Sequence, residues 1–305
     1  MTLTQVSDFE ALRPHLMAVA YRLMGTVADA EDIVQEAWLR WDKQDPKKGE
    51  AITDLRAWLT TVVSRLGLDR LRSAAHRHET YTGNWLPEPV VTGFDGADPL
   101  SSVVAREDAR FAAMVVLERL SPDQRVAFVL HDGFSLPFSE VAEVLGINEP
   151  AARQLASRAR KALNRRGGPA PPKPDPSHNE VVGRLLAAMA EGDLETVVSL
   201  LHPDVTLTGD SNGKAATAIN VIHGADKVAR FMFGLARRYG PAMFTSYQLG
   251  LVNGELGGYT AGCPASDGYR EMMPRIMAMT VRDGKVCALW DIANPDKFSG
   301  SPLRG

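Results

Sequence analysis

The chain has 305 residues, of which 45% are hydrophobic and 23% charged, and a formal net charge of −3. That length predicts two or three folded domains, and the balance excludes both a disordered chain and a uniformly basic nucleic-acid coat while leaving room for local basic patches. The two cysteines, Cys263 and Cys287, lie far apart without companions at metal-ligand spacing, so reduced thiols in a cytoplasmic protein are expected, with no metal and no cofactor. The N-terminus carries Asp8 and Glu10 instead of a basic-then-apolar signal, and no run approaches the ~18 apolar residues of a membrane span.

In chain order, Phe9, Leu12, Leu16, Val19, Ala20 and Leu23 form one helical stripe that ends near Gly25. A second helix, Asp29 to Trp41, packs Ala30, Ile33, Val34, Ala37, Trp38 and Trp41 on one side. Lys43 to Gly49 is polar and contains Pro46, hence a loop, and Asp54 then precedes a helix from Leu55 to Arg72. Gly83, Pro87, Pro89, Gly93, Gly96 and Pro99 mark a linker. Helical pattern resumes near Val103 and runs with turns to Arg166, before a proline-rich, semi-rigid spacer from Gly167 to Pro176. After Ser177 come helices at about 179–190, 194–201 and 225–239. Alternating stretches such as 205–208 and 276–281 predict helices packed on one antiparallel sheet.

Three patches carry candidate chemistry. The Asp29–Trp41 helix presents Asp29, Glu31, Asp32, Gln35 and Glu36, with no basic residue before Arg40. Such a front is either a solvated face with acids favoured near a helix N-terminus or a docking surface for a basic partner. Between Pro137 and Arg166, a short helix closes on Gly146, Asn148 caps the next helix, and Pro150 is tolerated in its first turn. This is helix-turn-helix spacing, whose second helix enters the DNA major groove. On it, Arg153, Gln154, Ser157 and Arg158 are placed to read base edges or nearby phosphates, while Arg160, Lys161, Arg165 and Arg166 neutralise phosphate. A second basic set, Arg65, Arg70, Arg72, His76, Arg77 and His78, lies on or after the Trp58 helix. Two basic helices joined by a linker suggest a two-site grip on one duplex.

The acidic helix, the Ala57-Trp58-Leu59…Leu68-Asp69-Arg70-Leu71-Arg72 helix and the helix-turn-helix together resemble the extracytoplasmic-function sigma factors of bacteria. The resemblance covers about residues 7–166. It implies a sigma region 2 helical bundle and a region 4 helix-turn-helix, both all-α. It also implies that Asp29, Glu31, Asp32, Gln35 and Glu36 bind the β′ subunit of core RNA polymerase. Residues about Ser64–Arg72, Arg65 and Arg72 among them, would engage the promoter −10 element, and Arg153–Lys161 would read the −35 element; Arg77 remains a DNA-binding candidate of the second basic set. Trp85-Leu86-Pro87-Glu88-Pro89, Asp210-Ser211-Asn212-Gly213-Lys214 and Asn294-Pro295-Asp296-Lys297-Phe298 resemble the subgroup that carries a fused SnoaL-like domain. An α+β SnoaL/NTF2-like cone domain that regulates the sigma domains in cis is thereby implied.

The expected organisation is multidomain: region 2 over 1–82, a linker over 83–102, region 4 over 103–168, a proline-rich linker over 169–177 and the cone domain over 178–305. An indole among prolines gains nothing in water, so Trp85-Leu86-Pro87 is expected to dock between the sigma core and the last domain, near Asp210, Gly213, Lys214, Asn294, Pro295, Asp296 and Lys297. The partners expected are core polymerase, promoter DNA and a small-molecule ligand in the cone, with no membrane. Two other readings compete. One is a one-component helix-turn-helix regulator with a ligand-sensing domain. The other is a SnoaL-type cyclase or isomerase drawing on His202, Asp204, His223, Asp226 or Asp291.

Overall fold

The computed structural model describes residues 3–43, 52–74, 81–96, 99–104, 109–165, 175–266 and 268–304. They fall into two units, one built from 1–79, 102–109 and 113–170, the other from 80–101, 110–112 and 171–305.

In the first unit, helix α1 (Leu3–Met24) ends where Gly25 takes a positive φ of 75° and its N–H donates to the Tyr21 carbonyl. Thr26 then caps α2 (Val27–Asp42), its hydroxyl accepting from the Asp29 N–H at 3.3 Å. Helix α3 (Leu55–Ala74) crosses α1 closely at Gly67, where a Cβ would lie 3.1 Å from the Leu23 side chain. Phe9 ties α1 to α2 by packing against Trp38 and Trp41, with ring centroids 4.7 and 6.1 Å away. Both tryptophans are half-buried.

Short helices α4 (Ser101–Val104) and α5 (Phe111–Leu117) lead to α6 (Pro122–Phe128), which opens on a Ser121–Gln124 capping box. A π-helical turn (Val129–Gly133) follows, then α7 (Phe138–Leu145), closed by Gly146 at φ 67°. The Asn148 side chain accepts from the Ala151 N–H at 2.9 Å and starts α8 (Glu149–Arg165). Helices α6 and α7 pack on α3. Buried Arg125 ties α6 to α1, donating to the Arg22 carbonyl at 3.1 Å and pairing with Glu118 at 2.6 Å.

In the second unit, β1 (Val91–Thr92) precedes α9 (His178–Glu191), α10 (Leu194–Leu200), β2 (Leu201–Asp210), β3 (Ile222–His223), α11 (Ala225–Tyr239) and α12 (Ala242–Thr245). The chain then runs through β4 (Gln248–Val252), β5 (Glu255–Thr260), β6 (Arg275–Arg282) and β7 (Lys285–Ile292). The described strands form one seven-stranded sheet in the order β1-β4-β5-β6-β7-β2-β3. Val182, Leu185, Val228 and Met232 from the helices meet Leu207, Met279 and Leu289 from the sheet in one buried cluster.

This is the α+β architecture expected, with one correction. The sheet is mixed, because β2 runs parallel to β7. No hairpin joins these two strands; α11, α12 and four strands intervene, so no tight turn dictates an antiparallel pairing.

The segment read as a spacer is also more ordered than its composition suggests. Leu86 through Thr92 are buried, and β1 adds an edge strand to β4. Its prolines, Pro87 and Pro89, stand before the strand, where no ladder N–H is needed.

Candidate polymerase, promoter and linker surfaces

Helix α2 buries Val27, Ala30, Ile33, Val34 and Ala37, which turns Glu31, Asp32, Gln35 and Glu36 to solvent and leaves Asp29 half-buried. Arg70, grouped by sequence with the basic residues, points at this acidic face instead. Its guanidinium lies 2.9 Å from Asp29 and 3.0 Å from Asp32. Arg40 pairs with Glu36 one turn away at 3.1 Å. The face therefore holds Glu31 and Gln35 beside three acids already paired with arginines.

The two basic candidates on α3 are also occupied. Arg65 donates to the Glu143 carbonyl at 3.0 Å and pairs with its carboxylate at 3.1 Å, while Arg72 reaches Asp123 at 2.9 Å. Both arginines remain about half exposed, so water competes with these bonds. Arg77, with His76 and His78, lies outside the described residues.

Helix α8 buries Ala152, Ala156, Ala159 and Leu163, a stripe at helical spacing. The opposite side exposes Arg153, Gln154, Arg158 and Lys161, with Ser157 half-buried. Arg153 pairs with Glu149 and lies over the Phe138 ring, 4.9 Å from its centroid. Arg160 grips Asp132 through two bonds of 2.7 and 3.1 Å, which raises its pKa further. Among the described residues no ion pair engages Arg158 or Lys161. Arg166 lies outside them.

The linker candidates converge within the second unit. Asp210, at the end of β2, accepts from the Leu86 N–H at 2.7 Å and from the Tyr81 hydroxyl at 2.5 Å. The Lys297 ammonium binds Asp210 at 2.6 Å, donates to the Leu86 carbonyl and lies 4.0 Å from the Trp85 ring centroid. Asn294 donates to the Tyr81 oxygen at 2.9 Å, and its own side-chain oxygen caps the 3₁₀ turn Pro295–Lys297. Burial first, then Asp210, pushes the Tyr81 hydroxyl far above its usual range and keeps it a donor.

Around Asp210 the chain makes a tight turn. Asn212 and Gly213 both have positive φ, 48° and 73°, and the Lys214 N–H closes on the Ser211 carbonyl at 2.8 Å. That turn aims Lys214 at Asp296, 2.5 Å away, and brings the Asn212 side chain to the Thr82 N–H. Pro87 is buried in the same segment.

Four further contributors were not singled out from sequence: Tyr81, Asn84, Asn253 and Ser299. Asn84 donates to the Gly209 and Ile219 carbonyls, and Asn253 exchanges bonds with both backbone groups of Val90. Glu88, quoted only as part of its motif, accepts from Ser299 and from the Gly300 N–H. The Asn253-Gly254 pair, a hairpin-turn signature, could have revealed the β4–β5 hairpin that presents Asn253.

The candidate acid–base residues do not assemble. Asp291 is buried and held by Arg275 at 3.1 Å and by the Thr217 hydroxyl at 2.6 Å. His202 accepts from the Asp204 N–H, and His223 and Asp226 are exposed. Among the described residues no histidine hydrogen-bonds Asp291, and no group of three His, Cys, Asp or Glu could hold a metal.

Residues 9–77 match the family Sigma-70 region 2, and residues 110–163 match Sigma-70, region 4. With relatives spanning nearly its whole length, the chain belongs to the extracytoplasmic-function RNA polymerase sigma factors. It is 75% identical over 300 residues to the ECF RNA polymerase sigma factor SigJ of Mycobacterium tuberculosis (strain ATCC 25618 / H37Rv), covering 98% of this chain and 95% of that one. It is 35% identical over 226 residues to the probable ECF sigma factor SigI of the same strain, covering 72% and 73% of the two chains. The crystal structure of the M. tuberculosis extracytoplasmic function sigma factor SigJ matches with a TM-score of 0.87 at 72% identity, covering 98% of this chain and all of that one. As a sigma factor, the protein has core RNA polymerase and promoter DNA as its partners. No described helix is long and apolar enough to cross a membrane.

Proposed function

We propose that residues 1–82 and 103–168 work as regions 2 and 4, and that residues 178–305 regulate them in cis through the segment that joins them. In this reading Asp29, Glu31, Asp32, Gln35 and Glu36 bind the polymerase β′ subunit. Arg65 and Arg72 engage the −10 element, and Arg77 adds a DNA contact. Arg153, Gln154, Ser157 and Arg158 read the −35 element, while Arg160 and Lys161 hold its phosphates. The protein works where RNA polymerase works, in the cytoplasm, and without catalysis, because Asp291 is committed to an ion pair instead of a proton relay.

One observation carries the regulatory reading. The stretch between the two sigma regions is bound into the C-terminal sheet by β1 and by the buried Lys297–Asp210–Leu86 contact. A conformational change or ligand in the C-terminal unit is thereby coupled to the connector that both regions must share on DNA. The cone is also where a small molecule would act.

The test is promoter-specific initiation by the full chain with core polymerase, on promoters found by genome-wide run-off transcription. Asp210→Asn and Lys297→Ala are expected to change initiation several-fold. Initiation that matches the wild type in both variants overturns the regulatory reading, and no promoter-specific initiation by the wild type overturns the rest.

A further inference from the structure

The C-terminal unit contains a cavity of about 100 Å³ between its helices and sheet, lined by Met189, Met232, Met243, Met277, Met279 and Tyr247 among others. Five methionines, three from the helices and two from β6, make an apolar lining that adjusts its shape by rotamer changes. One end of this space has a different chemistry, and strand register shows how.

Met279 pairs with Leu289 and Met277 with Asp291, while Leu207 and Gly209 of β2 pair with the same two β7 residues. Paired residues share a sheet face, so Asp291 stands one row beyond the cavity-lining Met279–Leu289 row. Arg275, two residues before Met277, extends that face and pairs with Asp291. Tyr247 lies over the same row: Gly258 pairs with Met277, and a Cβ at Gly258 would lie 3.1 Å from the Tyr247 ring.

Two polar atoms at this end lack hydrogen-bond partners although both are buried: the Tyr247 hydroxyl oxygen and Asp291 Oδ1. Burial, and after it the nearby Asp291 carboxylate, pushes the Tyr247 hydroxyl well above its usual range, so it stays protonated. Unpaired buried polar atoms of this kind are rare in native proteins and call for a partner. A donor–acceptor hydroxyl suits a phenolic O–H beside a carboxylate oxygen; a carbonyl answers only the first. The volume is below that of an engineered 150 Å³ apolar cavity that binds benzene, which limits the ligand to one ring that the methionines yield to accept.

We propose that this cavity binds a monocyclic phenol, its ring among the methionines and its hydroxyl hydrogen-bonded to Tyr247 at the Asp291 end. The inference builds on the C-terminal unit as the regulatory part of the chain. It is tested by binding alone, so that a failure of either idea leaves the other standing.

The experiment is calorimetric titration of the full-length protein with phenol and, separately, with toluene, which has a similar shape and no hydroxyl. Phenol is expected to bind saturably at one site, at least ten-fold more tightly than toluene. Tyr247→Phe is expected to weaken phenol at least five-fold while leaving toluene within two-fold, which also reports that the cavity has kept its shape. Absence of saturable phenol binding, or equal affinities of the wild type for the two probes, overturns the proposal whatever the variant does. Unchanged phenol affinity in Tyr247→Phe overturns the assignment of the hydroxyl.

Discussion

Lys297 and Asp210 meet at 2.6 Å with their side chains 5% and 0% exposed, and Leu86 closes the pair from both ends, its carbonyl accepting from the lysine and its N–H donating to the carboxylate. A buried pair with every charge hydrogen-bonded is tolerated; one charge without the other is not. Lys297→Ala should therefore destabilise the full chain by about 3–5 kcal/mol, the range for stranding a buried charge. Lys297→Met with Asp210→Leu should recover much of that loss. Urea unfolding of the three proteins checks both statements.

Charge reversal at Asp32 and Glu36 should weaken binding to core polymerase at least ten-fold while leaving the fold intact. The reason lies in the helix: its packed side is Ala30, Ile33, Val34 and Ala37, and neither acid contributes to it. Affinity measured by fluorescence anisotropy, beside the far-ultraviolet dichroism of each variant, separates the two effects.

On α8, Lys161→Ala should weaken DNA binding about equally for all sequences and lower the salt slope by about one counterion. Gln154→Ala should instead relax base preference at one position, with discrimination falling by about 1–3 kcal/mol for a bidentate contact. Binding of a randomised −35 library at several salt concentrations tells phosphate contact from base reading.

Glu143 and Asp123 hold Arg65 and Arg72 in the first unit. Exposed pairs of this kind contribute about 0–1 kcal/mol each, so phosphate can displace them. Glu143→Gln with Asp123→Asn should raise affinity for single-stranded −10 oligonucleotides a few-fold and move thermal stability little. Unchanged affinity would mean that these arginines do not meet DNA.

The helical half was legible because its apolar residues repeat at a period the sequence states directly, as in Ala152, Ala156, Ala159 and Leu163. Glycine and asparagine punctuation, at Gly25, Gly146 and Asn148, located the boundaries. Arg70 was misgrouped because helical pattern places it on α3 without saying that α2 lies across from it. Val91 and Thr92 escaped notice for a related reason. A two-residue edge strand has no period, and its identity comes from β4, some 160 residues later. The hairpin turns at Asn253-Gly254 and Asp283-Gly284 were readable, each with two positive φ angles, and would have framed β4 to β7.

The ownership of β1 has a covalent consequence. The second unit takes 80–101 and 110–112 from before the helix-turn-helix and the rest from after it. In chain order, therefore, residues 113–170 are an insertion within that unit and not a segment ahead of it. A protease that cuts once between Arg165 and Asp175 severs the backbone and still leaves one particle, since β1, Glu88 and the bonds of Leu86 to Asp210 and Lys297 bridge the cut. The second unit is thus joined to the helix-turn-helix at two places in the chain, and removing β1 leaves β4 as an open sheet edge.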